Sequence, residues 1–169
     1  RDTGLTNPAV VSEAKWTKKH VFVKFATTVG GLSSATPISI KSLNFNIMKN
    51  AKLDDQLGTA EPEDINNQQF AVEGDFELNY DAETYKNFVM GGSQRAMEID
   101  FINSDNLIGV SSAPTLKFIM PKVHFNPFSP TYDLDKITQQ KISFKASRDV
   151  PNTQDIISTC QLINDVTTY

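Results

Sequence analysis

Apolar and polar side chains alternate along most of this chain with a period of two, the pattern of strands that bury one face and wet the other. His20 to Thr28 places Val21, Val23 and Phe25 on one side, and Gly30-Gly31 followed by Ser33-Ser34 ends the run. Ile38 to Met48 reads as a long strand whose apolar parity changes midway: Ile38 and Ile40 share one side, Leu43, Phe45 and Ile47 the other. Successive side chains point to opposite faces, so the switch predicts a bulge or a bend between two core surfaces. Thr115 to Phe125 makes the same switch around Pro121, from Leu116, Phe118 and Met120 to Val123 and Phe125. Proline inside a strand belongs at an edge or a bulge, so this strand is also expected to bend.

Phe70 to Tyr80 is the most regular segment, with Phe70, Val72, Phe76, Leu78 and Tyr80 on one face and Glu73, Asp75 and Glu77 on the other. Asp81 then suits a helix N-cap, Tyr85, Phe88 and Val89 supply an apolar stripe, and Gly91-Gly92 stop the helix. Arg95 to Phe101 returns to strand, with Met97, Ile99 and Phe101 inward and Glu98 and Asp100 outward. Ile137 to Ala146, with Ile142, Phe144 and Ala146 opposite Lys141 and Lys145, and Asp155 to Val166 are the last two strands. Two stretches lack a period. Arg1 to Lys19 reads as an arm, and Asn50 to Gln69 as a long polar, acidic loop of a length that often carries function.

The elements predict an all-β fold: a β-sandwich or barrel of about seven strands with one flanking α-helix and a long loop, in a single domain over 20–169 behind the arm at 1–19. At 169 residues, 39% hydrophobic and 21% charged, the chain can bury a real core and has neither a disordered nor a membrane-spanning composition. A net charge of −4 argues against a conventional nucleic-acid binder, which concentrates Lys and Arg against phosphate.

Candidate chemistry is sparse. His20 and His124 stand apart from any metal-ligand spacing, and the single Cys160 is expected as a small core residue of the last strand. There is no nucleophile elbow, phosphate loop or nucleotide fingerprint. Asp54-Asp55 and Glu61, Glu63 and Asp64 lack the order of a calcium loop. No catalytic, cofactor-binding or metal residue is assigned, no cofactor is called for, and the chain reads as something other than an enzyme. The acidic faces carry more information. Like charges side by side gain nothing for folding, so Glu73, Asp75, Glu77, Glu98 and Asp100 are expected to face water, either as a bland outer surface or as one that must not hold polyanions.

An ordered series of segments adds a resemblance. SIKSLNFNIMKN, the loop with Leu57-Gly58-Thr59-Ala60-Glu61-Pro62, and QQFAVEGDFELNY are followed by LKFIMPKVHF, a loop with Asp133-Leu134-Asp135, and KISFKASRD. Across residues 38 to 149 this order resembles the tail tube proteins of long-tailed, siphovirus-like bacteriophages. Tubes of contractile tails and of type six secretion machines have similar patterning.

The resemblance implies a structural virion protein whose subunits join in a ring, hexameric or pseudo-hexameric. Stacked rings would conduct DNA during genome ejection without binding it specifically. It implies self-association, with tape measure and tail terminator proteins as further partners, no membrane, assembly in the host cytoplasm and residence in the phage tail. The five acidic residues become lumen-facing candidates, although Lys117, Lys122, Lys141 and Lys145 show that the lumen need not be uniformly acidic. Leu53, Asp54, Asp55, Leu57, Gly58, Glu61 and Ile65 become candidates for a loop that reaches a neighbouring subunit. The alternative reading is a free-standing β-sandwich binding module for carbohydrate or protein on a virion or cell surface.

Overall fold

The computed structural model describes residues 16–54, 57–58, 64–79, 87, 90–126, 129–131 and 138–164. Among these, ten strands run in chain order: β1 (Val21–Ala26), β2 (Ser42–Met48), β3 (Ala51–Asp54), β4 (Asp64–Asn67), β5 (Ala71–Asn79), β6 (Arg95–Ile102), β7 (Thr115–Phe125), β8 (Ser129–Thr131), β9 (Gln139–Ser147) and β10 (Thr159–Ile163). Eight form one antiparallel sheet in the order β1-β6-β7-β9-β5-β2, with β10 added to β7 and β8 to β9; β3 and β4 pair separately.

Two devices curl this sheet around a core. Ile38 donates its N–H to the Val23 carbonyl at 2.8 Å on β1, and three residues later Lys41 donates to the Glu77 carbonyl at 2.7 Å on β5. The chain entering β2, the last strand of that order, therefore also bonds to β1, the first, and closes the sheet toward a barrel. The expected long strand from Ile38 is thus a bridge followed by β2, and its parity switch marks the crossing. The second device is in β7. Arg95 lies opposite Val123 and Met97 opposite Met120, so Pro121 and Lys122 together face one residue of β6. This bulge lets both Met120 and Val123 enter the core fully buried, as the switch around Pro121 predicts.

The inward faces supply Val23, Val72, Phe76, Leu78, Met97, Ile99, Met120, Val123, Ile142, Phe144 and Ala146. Phe25, Phe76, Phe125 and Phe144 meet with ring centroids 5.4–6.4 Å apart. A short 3-10 turn, Val29–Ser34, buries Leu32 and packs on β1, β6 and β7.

Other expectations change. Asn50 to Gln69 is structured at both ends: β3 and β4 make a two-stranded ribbon where a featureless loop is expected. The last strand is shorter than expected, and Cys160 on it is exposed, as are Thr159, Gln161 and Leu162 beside it. Phe70 lies outside β5 and is exposed. Of the expected helix, Asn87 and Met90 are helical and Gly91 N–H closes on the Asn87 carbonyl at 2.9 Å; Gly92 follows at φ +58°, the conformation that ends helices. Its N-cap and apolar stripe lie outside the described residues.

Candidate assembly surfaces

The first surface is the ribbon. Asn50 adopts φ +49°, a left-handed conformation that Asn tolerates better than most residues, and its side chain donates to the Gln69 carbonyl at 2.8 Å. Gln68 N–H donates to the Asn50 carbonyl at 2.9 Å. This kink turns β3 and β4 away from the strands that precede and follow them.

Leu53 lies opposite Ile65, with Lys52 opposite Asn66 and Asp54 opposite Asp64. One ribbon face therefore carries Leu53 and Ile65 beside the Ala51–Asn67 pair, and the other is polar. Every described residue from Lys49 to Phe70 is exposed, Leu53 at 52%, Ile65 at 61% and Leu57 completely. Leu57 and Gly58 occupy a turn; Asp55 and Glu61 lie outside the described residues. A two-stranded ribbon is marginal in water unless its apolar face is covered, and the facing Asp54 and Asp64 carboxylates repel.

The second surface is the outward face of β2, β5 and β9. Register lines up Ser42, Glu77 and Lys141; then Asn44, Asp75 and Ser143; then Asn46, Glu73 and Lys145, with His124 of β7 beside Lys145. Every side chain in these rows is polar. Lys141 Nζ lies 3.1 Å from Asp75 Oδ2, Ser42 Oγ donates to Glu77 at 3.3 Å and Asn44 Nδ2 donates to Asp75 at 3.4 Å. Glu73, Asp75 and Glu77 are half-buried there, forming an acidic strip flanked by lysines and small polar groups.

Glu98 and Asp100 lie elsewhere and are not solvated. They sit on β6 with 3% and 1% exposure, which corrects the expectation that all five acids face water. Lys24 Nζ of β1 donates to Glu98 Oε1 at 2.6 Å and to Asp100 Oδ2 at 3.4 Å, while Lys117 Nζ of β7 is 3.6 Å from each acid. Strand alternation places Glu98 and Asp100 on one face, as read from sequence. It does not reveal that β1 and β7 flank β6 and that lysines stand in register with the acids: Lys24 opposite Glu98 and Lys117 opposite Asp100.

The Lys24 ammonium is held above its ordinary value, chiefly by the Glu98 hydrogen bond. Burial opposes charge on Glu98, yet the Lys24 hydrogen bond and the other contacts outweigh it and hold this carboxyl below the usual range. Asp100 goes the other way, pushed up by burial and by its hydrogen bond with Glu98.

A third polar cluster surrounds the Lys18–His20 turn. Thr17 N–H donates to His20 Nδ1 at 3.1 Å, so Nε2 carries the proton and donates to Asp105 Oδ2 at 3.1 Å; Lys19 Nζ meets the same oxygen at 2.5 Å. Trp16 packs edge-on against His20 and Phe101. His20 is thus a buried structural node, and His124 an exposed partner of Ser147 Oγ at 2.8 Å.

No protein-family model and no curated protein matches the sequence. Solved structures do match. A chain of the PVC sheath-tube complex of an extracellular contractile injection system, in the extended state, aligns with TM-score 0.58 at 11% identity, covering 90% of this chain and 95% of that one. A chain of the anti-feeding prophage tube-terminating cap gives 0.57 at 11%, covering 95% and 99%, and one from the six-fold symmetrised baseplate of that prophage gives 0.52 at 9%, covering 95% and 99%. The fold is tail-tube-like. At these identities the likeness concerns the fold alone, and it spans nearly the whole tail-tube-like chain.

Proposed function

We propose that this chain is a structural subunit of a tail tube: copies join in rings, the rings stack, and the channel conducts DNA at genome ejection. The observation that carries the reading is the ribbon, whose apolar Leu53, Leu57 and Ile65 stand in solvent on a marginal element. A second copy is the simplest cover for them. Fully burying each such side chain is worth roughly 1.5–3 kcal/mol, enough to make the contact decisive for assembly. In this reading Asp54 and Asp64, with Asp55, Gly58 and Glu61 of the same segment, meet the neighbour's polar surface.

The β2-β5-β9 face suits the lumen. It offers a polyanion no apolar ledge, and its lysines stand beside carboxylates, so DNA would slide over a hydrated and nearly balanced surface. Glu73, Asp75 and Glu77 remain lumen candidates in this proposal; Glu98 and Asp100 do not. The chain would reside in the virion tail after assembly in the host cytoplasm, and tape measure and terminator proteins would be its further partners. The second reading is a tube of a contractile injection assembly, favoured by the sources of the matching structures. Negative-stain microscopy of the concentrated protein tests both readings: rings or tubes support them, and dispersed monomers at every concentration contradict them.

A further inference from the structure

We propose that an apolar groove between β2 and β10 receives the ribbon of a second copy, with Leu53 and Ile65 seated in it. This rests on the assembly of copies proposed above and assigns its other half, the surface on which the ribbon lands. The groove exists because β7 changes neighbours along its length. Its residues 122–125 pair with β9, whereas residues 115–119 pair with β10, which has no other partner strand among the described residues. Phe45 of β2 meets Phe118 of β7 with ring centroids 5.2 Å apart, and this contact sets the floor. Cys160 stands in register with Phe118 and Leu162 with Leu116, so these side chains share one face. Leu116 and Phe118 are half-buried, Cys160 is exposed and Leu162 is 56% exposed. Ile47, on the same face of β2 as Phe45, is 44% exposed. The face is apolar and open.

The chain itself carries an element that fits this face. Among the described residues the ribbon is the one strand pair outside the large sheet, and its Leu53–Ile65 pair is uncovered. Every copy has one ribbon and one groove. Within a copy the two do not cover each other, since Leu53, Ile65 and Leu162 all remain more than half exposed. A contact between two unlike surfaces of one chain uses both on every copy, and it closes into a ring or continues as a filament.

Charge decides which ribbon face docks. No groove residue is charged, and β10 carries no charge, proline or glycine, the usual guards of a free edge. Seating the Leu53–Ile65 face leaves Asp54 and Asp64 on the opposite face, clear of the groove. The reverse orientation would press two facing carboxylates against apolar side chains, at a large cost in lost hydration.

Cys160 is the only cysteine, so a single substitution tests the contact. In oxidised glutathione, Ile65→Cys should give a ladder of disulfide-linked oligomers on a denaturing gel. Mass spectrometry of mixed isotope-labelled and unlabelled copies should find residues 65 and 160 joined across chains. Wild type, with one thiol per chain, should go no further than dimers. Rings or tubes without a 65–160 link would overturn the groove assignment and leave the tube reading standing; monomers at every concentration would overturn both. A 65–160 link confined to single chains would also overturn the assignment, because the ribbon would then cover its own groove. Leu162→Asp alters no side chain of the described core. It should keep the wild-type melt and lose assembly, and normal tubes from it would contradict the proposal.

Discussion

Gly74 shows how tightly one residue type can be tied to one place. A Cβ there would run into the Asn44 carbonyl oxygen of β2 and come within 2.8 Å of the Phe144 ring on β9. Backbone cannot yield as a side-chain tip can, so Gly74→Ala should disrupt the β2-β5 pairing; a thermal melt as high as wild type would show that the strands have room to part. Phe76 and Phe144 are fully buried, and either change to Ala should cost about 3–5 kcal/mol in urea unfolding. Phe45 and Phe101, expected in the core from their parity, are half-buried and should cost less. The acids divide in the same way. Replacing Glu73, Asp75 and Glu77 by Gln should shift stability by less than about 0.5 kcal/mol each, as at other surface sites. Glu98→Gln takes from Lys24 its shorter carboxylate contact and leaves it Asp100 at 3.4 Å, and should cost about 1–3 kcal/mol. Equal effects at the two sites would contradict the burial assigned to them.

Among the elements, legibility in the sequence followed burial. Val72, Phe76 and Leu78 on β5, or Ile142, Phe144 and Ala146 on β9, alternate because one face is dry, and both strands were readable from that alone. The ribbon escaped because it buries neither face, so no period distinguishes β3 and β4 from a loop. Cys160 misled for a related reason: its apolar neighbours imply a core strand, but among the described residues β10 pairs with β7 alone and four of its five residues are exposed. The root of the N-terminal segment depends on partners distant in sequence and could not be read at all. There the Asp105 carboxyl is held below its ordinary 3.8, first by Lys19 and then by His20. Its contribution is present above the unfolded value and is lost only as pH falls through a folded value lower still. Trp16, the single tryptophan, packs beside this cluster and reports on it. Asp105→Asn should shift its fluorescence emission to the red at pH 7. An unshifted variant would mean that Phe101 alone holds the indole.

For the whole molecule, the described core that the Val23–Ile38 bridge closes contains no residue of the ribbon. Shortening residues 50–69 to a Gly-Ser turn closes a smaller loop at little entropic cost and removes no side chain of the described core. If copies assemble through this element, the shortened chain should keep the wild-type circular dichroism spectrum and melt, yet form no rings or tubes by electron microscopy of the same sample. Normal tubes from the shortened chain would contradict the assembly role given to Leu53, Leu57 and Ile65, and loss of the folded spectrum would contradict the separation of ribbon from barrel.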